Sequence, residues 1–119
     1  MYITKDDYFN ARGIDLTIEL NDQAQSSDNP SNFVNIKLQQ MEDITLDFIN
    51  HYFETPENGK FEPEIMRKVM IYQVDYFLLK GLFVEPPLSK QAYYVLKQNG
   101  YANPLTQGYA KRYILWALT

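Results

Sequence analysis

The chain has 119 residues, 45% of them hydrophobic and 15% aromatic, with a formal net charge of −4. That length suits one domain with one modest core. The lack of cysteine excludes disulfides, thiolate metal centres and thiol nucleophiles, no apolar run reaches the roughly 18 residues of a membrane span, and acids stand where a signal peptide would be apolar, so the chain reads as cytosolic.

Charge is unevenly spread. Residues 1–64 carry thirteen acids and four bases, whereas residues 65–119 carry two acids and seven bases. Oppositely charged halves either neutralise each other within one fold or attract copies head to tail. The ten tyrosines suit a Tyr-rich core and a protein-contact surface equally well.

In chain order, ITKDDYFNARGI predicts a helix over 5–12. Thr4 caps it, Asp7 completes an approximate capping box, and Gly13 suits the left-handed position after its end. In IDLTIEL the apolar residues Ile14, Leu16, Ile18 and Leu20 alternate, which predicts an extended edge. NDQAQSSDNPSN reads as a loop, and Asn29-Pro30 then starts a helix to about Phe53. Val34, Leu38, Met41, Phe48 and Tyr52 share one face of it, with Ile44 beside them. Lys37, Gln40, Asp43, Asp47 and Asn50 form the opposite face.

ETPENGKFEP breaks the pattern, and Glu62, Pro63 and Glu64 open a second long helix. Its stripe is Ile65, Val69, Tyr72, Tyr76 and Leu79, widened by Met66, Gln73 and Phe77. Tyr72, Tyr76 and Leu79 are therefore expected to pack inward with Val34, Leu38 and Phe48. Lys80-Gly81 ends the helix, LFVEPP is an extended connector, and Ser89 caps a short helix over 90–98 that closes at Gly100. Leu88 and Tyr93 are placed as a hydrophobic staple. After Asn103-Pro104 no capped element is visible, and strand, helix and ordered arm stay open. The run Tyr113–Leu118 is wholly apolar and holds the single tryptophan, Trp116. The expected architecture is mainly α: a small helical bundle over 1–103 with two long helices and a short Ser-capped helix, followed by an extended C-terminal arm over 104–119.

Chemistry is sparse. His51, the single histidine, follows Asp47 by one turn, but a general base or metal site needs more partners than the sequence offers. Glu42, Asp43 and Asp47 form an acidic patch that reads as a solvated helix face, without the glycine-broken pattern of a calcium loop. Neither a phosphate-binding glycine loop nor a serine nucleophile motif is present. No enzyme, cofactor or metal is expected. The alternative is a small DNA-binding regulatory protein using the basic C-terminal segment, in which Lys90, Lys97, Lys111 and Arg112 lie among Tyr93, Tyr94, Tyr109 and Tyr113. The acidic N-terminal half opposes that reading.

Four stretches taken in order carry a resemblance: YITKDDYFNARGIDL, then DNPSN leading into an amphipathic helix, then MRKVMIYQVDYFLLKG, then LSKQAYYVLKQNGYAN. Over about residues 2–103 the chain resembles the small head–tail connector proteins of long-tailed bacteriophages, also called adaptor, neck or head-completion proteins. The resemblance implies a mostly helical domain, with about a dozen copies in a ring below the portal once the head holds DNA. It implies a platform for a stopper or tail-completion protein, DNA passing through without specific binding, and no membrane. It implies a place in the virion neck after assembly in the bacterial host cytoplasm. Two features depart from the pattern: the connector before LSKQ is short, and the tail is longer, which shifts interest to the tail.

Family members similarly use extended termini to grip the portal and adjacent subunits. On that resemblance Tyr109, Lys111, Arg112, Tyr113, Ile114, Leu115, Trp116 and Leu118 are the expected contacts to the portal or a neighbour. Each large apolar side chain contributes roughly 1.5–3 kcal/mol if fully buried. Tyr113 and Trp116 are the expected anchors, and Lys111 and Arg112 the steering charges. Asp43, Asp47 and Glu54 are candidate channel-facing acids that would repel passing phosphate.

Overall fold

The computed structural model describes residues 2–20, 30–53 and 61–101. Among these residues it is mainly helical, a small all-α bundle without strands. The helices are α1 (Lys5–Arg12), α2 (Leu16–Glu19), α3 (Pro30–Tyr52), α4 (Pro63–Lys80) and α5 (Lys90–Gln98). The expected arm lies outside the described residues.

Local chemistry sets the helix ends. In α1 the Asp7 amide donates to Thr4 Oγ1 at 3.2 Å and the Thr4 amide to Asp7 Oδ2 at 3.0 Å, a reciprocal capping box. Gly13, at φ 70°, lets the chain leave the helix in a left-handed conformation while its N–H reaches Phe9 O. Ser89 accepts from the Ala92 amide at the start of α5, and the flanking Leu88 and Tyr93 are both buried. α3 begins at Pro30 and α4 at Pro63, with proline at the position where its missing N–H costs nothing.

The segment expected as an extended edge is instead the single helical turn of α2. Asp15 Oδ1 accepts from the Thr17 amide at 2.9 Å, which caps a turn. Leu16 and Leu20, four apart, are buried, while Ile18 is 70% exposed. Alternation alone would have put all three on one face, but without a second strand to pair with, an edge has no ladder to satisfy its backbone.

Of its expected stripe α3 buries Val34, Leu38, Met41 and Phe48, and Ile49 beside them, with Ile44 half-buried; the Tyr52 side chain lies outside the described residues, and of the opposite face Gln40, Asp43, Asp47 and Asn50 are exposed while Lys37 is half-buried. α4 is rotated from the expected setting. Met66, Val69, Met70, Gln73 and Val74 are buried, Tyr72 and Tyr76 are only half-buried, and Leu79 is 82% exposed. α4 is apolar almost all round, so its neighbours rather than its periodicity choose the buried side. It packs against both α3 and α5, while α2 sits on α3 and α1 touches α2, α3 and α4. At the far end of α3, Phe48, Phe53 and Tyr93 of α5 meet edge to face or tilted, with centroids 6.1 Å apart in each successive pair.

Candidate assembly surface

Gln73 organises the connector between α4 and α5. Its side chain is buried, and its Nε2 donates to Thr45 Oγ1 at 2.9 Å and to Pro87 O at 2.7 Å. Its Oε1 accepts from the Ser89 amide at 2.8 Å, so one amide joins α3, the connector and the cap of α5. Thr45 in turn donates to Met41 O, and Tyr76 OH donates to Pro86 O at 2.8 Å. Burial holds the Tyr76 hydroxyl above the ordinary tyrosine range. Pro86 and Leu88 are buried, and Leu82 and Val84 line a small space over Met41, Ile44 and Phe77. The segment is therefore fastened at several points. From it Phe83 stands 84% exposed, the most exposed large apolar side chain among the described residues.

A second feature lies on α4's other side. An open groove of about 390 Å³ is floored by Lys68, Ile71 and Tyr72 of α4 and walled by Arg12 of α1 and by Val95, Gln98 and Asn99 near the end of α5. One wall is held by a polar cluster. Arg12 makes a forked contact with the Asp75 carboxylate (Nη2 to Oδ2 2.8 Å, Nε to either oxygen 3.2 Å), and its guanidinium lies 5.3 Å from the Tyr72 ring centroid. The buried Tyr8 donates its hydroxyl to Asp75 Oδ1 at 2.6 Å. Burial first, and then the hydrogen bond to this carboxylate, push the Tyr8 hydroxyl far above the usual tyrosine range. The same carboxylate raises Arg12, chiefly through their hydrogen bonds. The pair is about one-third exposed, so it positions Arg12 more than it stabilises the fold.

Of the residues singled out in the sequence, Asp43 and Asp47 are exposed on α3. Gln39 Nε2 donates to Asp43 Oδ1 at 2.9 Å. Glu54 and the whole set Tyr109, Lys111, Arg112, Tyr113, Ile114, Leu115, Trp116 and Leu118 lie outside the described residues. Glu42 does not belong to a solvated acidic patch. It is 1% exposed, and its Oε1 accepts the backbone amides of Tyr2 at 2.7 Å and Ile3 at 2.8 Å. Burial raises its pKa, and those two amides counter the rise. The reason is tertiary: the N-terminal segment crosses α3 at this point, and its amides need an acceptor.

His51 is exposed on α3, and no three potential metal-ligating side chains converge among the described residues. In the basic segment of the DNA-binding alternative, Lys90, Lys97 and Tyr94 are exposed but Tyr93 is buried in the core. Among the described residues no helix is long and apolar enough to cross a membrane. Two features escaped sequence reasoning, Phe83 and the α4 groove. An apolar residue in a short connector reads as core, and the groove joins elements distant in sequence. Comparison with family models, with curated proteins and with solved structures found no match for the chain.

Proposed function

We propose that the chain is a structural connector of the neck of a long-tailed bacteriophage, forming a ring below the portal and joining the DNA-filled head to the stopper or tail. The observation that carries this reading is Phe83. It is held in water at 84% exposure on a segment fastened through Gln73 and Tyr76. A preordered aromatic loses little freedom on docking and fits an interface anchor. In this reading Tyr113 and Trp116 grip the portal or an adjacent subunit, and DNA passes without specific contacts.

The test is capture of the purified chain by the portal and stopper proteins of the same virion. Phe83→Ser and Trp116→Ser are each expected to keep the parent's helicity and to weaken capture by about 2 kcal/mol or more, as interface anchors do. Parent-like capture by both variants would remove the basis of the reading. Tight binding of a DNA duplex by the isolated chain would favour the regulatory alternative.

A further inference from the structure

The groove on α4 carries a charge pattern that the fold itself does not use. Lys68, Ile71 and Tyr72 lie at i, i+3 and i+4, so one face of α4 lines it with an ammonium group, an aliphatic side chain and an aromatic ring. Ile71, Tyr72 and Val95 pack against the core and are only half-buried. Arg12 commits Nε and Nη2 to Asp75, which leaves Nη1 without an acceptor among the described residues. Lys68 is exposed and has no hydrogen bond or ion pair among the described residues. No acid lines the groove, and the carboxylate of Asp75 answers Arg12 alone, so the charge of Lys68 is in excess.

That excess sets the chemistry of the occupant. One uncompensated cation calls for a single carboxylate, and the apolar surface beside it calls for an apolar side chain next to that carboxylate. A nucleic-acid strand would bring a charge at every residue to a groove with only one to answer. A small molecule is a poorer fit for a different reason: small-ligand sites enclose most of their ligand, and this groove is open. An extended peptide suits it better. Its same-side residues recur about every 6–7 Å. Ile71 and Tyr72 lie one helical turn past Lys68, roughly 5–6 Å along α4. An acidic residue at Lys68 and an apolar one two places on therefore engage together.

We propose that this groove binds an acidic–apolar peptide segment of a protein partner, with its carboxylate at Lys68 and the Nη1 edge of Arg12 and its apolar side chain on Ile71 and Val95. The site rests on the connector reading only for the partner's identity, the portal or stopper protein, and it is testable without either.

The probes are a fluorescently labelled peptide of alternating glutamate and leucine, the same peptide with glutamine for glutamate, and a labelled single-stranded oligonucleotide. Anisotropy should show the full chain binding the glutamate peptide about tenfold tighter than the glutamine one, and less tightly as salt rises. Lys68→Glu, which keeps the fold because Lys68 is exposed, should bind the glutamate peptide about tenfold less tightly and gain binding to a lysine–leucine peptide. Lys97→Glu, exposed on α5 but outside the groove, should stay within about twofold of the parent. In an NMR titration the amide signals of Ile71, Tyr72, Val95 and Gln98 should move. Equal binding of the glutamate and glutamine peptides, an unaffected Lys68→Glu, an equal loss in Lys97→Glu, signals that move only elsewhere, or tighter binding of the oligonucleotide would overturn the proposal. Portal capture without peptide binding would reject this site and leave the connector reading standing. Peptide binding without capture by portal or stopper would do the reverse.

Discussion

Gln73→Leu is the most informative single change in the fold. Leucine has a similar volume, so the site is neither emptied nor overfilled. Three hydrogen bonds are lost: to Thr45 Oγ1, to Pro87 O and from the Ser89 amide. The Ser89 bond is buried, and its unpaired N–H costs about 1–3 kcal/mol. The Pro87 carbonyl is only part-buried and recovers some water, so its loss adds about 1 kcal/mol. Thr45 keeps its bond to Met41 O and adds little. Burying leucine in place of an amide returns part of the loss, leaving a net destabilisation of about 1–3 kcal/mol. For a chain of this size that lowers the thermal midpoint by about 10 °C. Circular dichroism melts measure the midpoint, and hydrogen exchange of the Ser89 and Ala92 amides locates the damage. Leu79→Ser on the same helix is the control and should stay within about 0.5 kcal/mol of the parent, because Leu79 is exposed. A Gln73→Leu melt equal to the parent's, with Ser89 still protected, would refute the role given to this amide.

Glu42 provides a pH signature. Its folded pKa is raised, so the folded chain holds this proton more tightly than the unfolded one, and the stability it contributes is full below the unfolded value and lost as pH rises through the folded value. Glu42→Gln keeps an oxygen for the Tyr2 and Ile3 amides and should flatten that loss. Denaturant titrations from about pH 4 to about pH 7 should show the parent-minus-variant difference falling as pH rises, and a constant difference would contradict the assignment. Tyr8 gives the alkaline counterpart, since its raised pKa makes a contribution that is full below the ordinary tyrosine value and lost as pH rises through the folded one. Asp75→Asn removes the carboxylate that helps raise it, so Tyr8 should ionise at lower pH in an NMR titration. An unchanged midpoint would show that burial alone holds it.

The helix boundaries were legible in the sequence because caps are local. Thr4 with Asp7, Gly13, Pro30, Pro63 and Ser89 each act on backbone groups within a few residues, and no distant contact is needed to read them. The buried face of α3 was legible for a related reason, since a sharp apolar stripe faces a polar one. The exposed acids Asp43 and Asp47 were legible in the same way. Three things were settled by tertiary structure alone. In α2, period two and one helical turn bury the same Leu16 and Leu20, and the Asp15 cap decides between them. In α4, apolar residues nearly all round leave the rotation to α3 and α5, which turn Leu79 into water and bring Met70 and Val74, outside the expected stripe, into the core. Glu42 is buried because amides some 40 positions earlier in the chain need an acceptor, a demand that no local pattern encodes. Caps and stripes act within a turn or two, whereas the choice of which face meets which neighbour is made by packing between segments far apart in the chain.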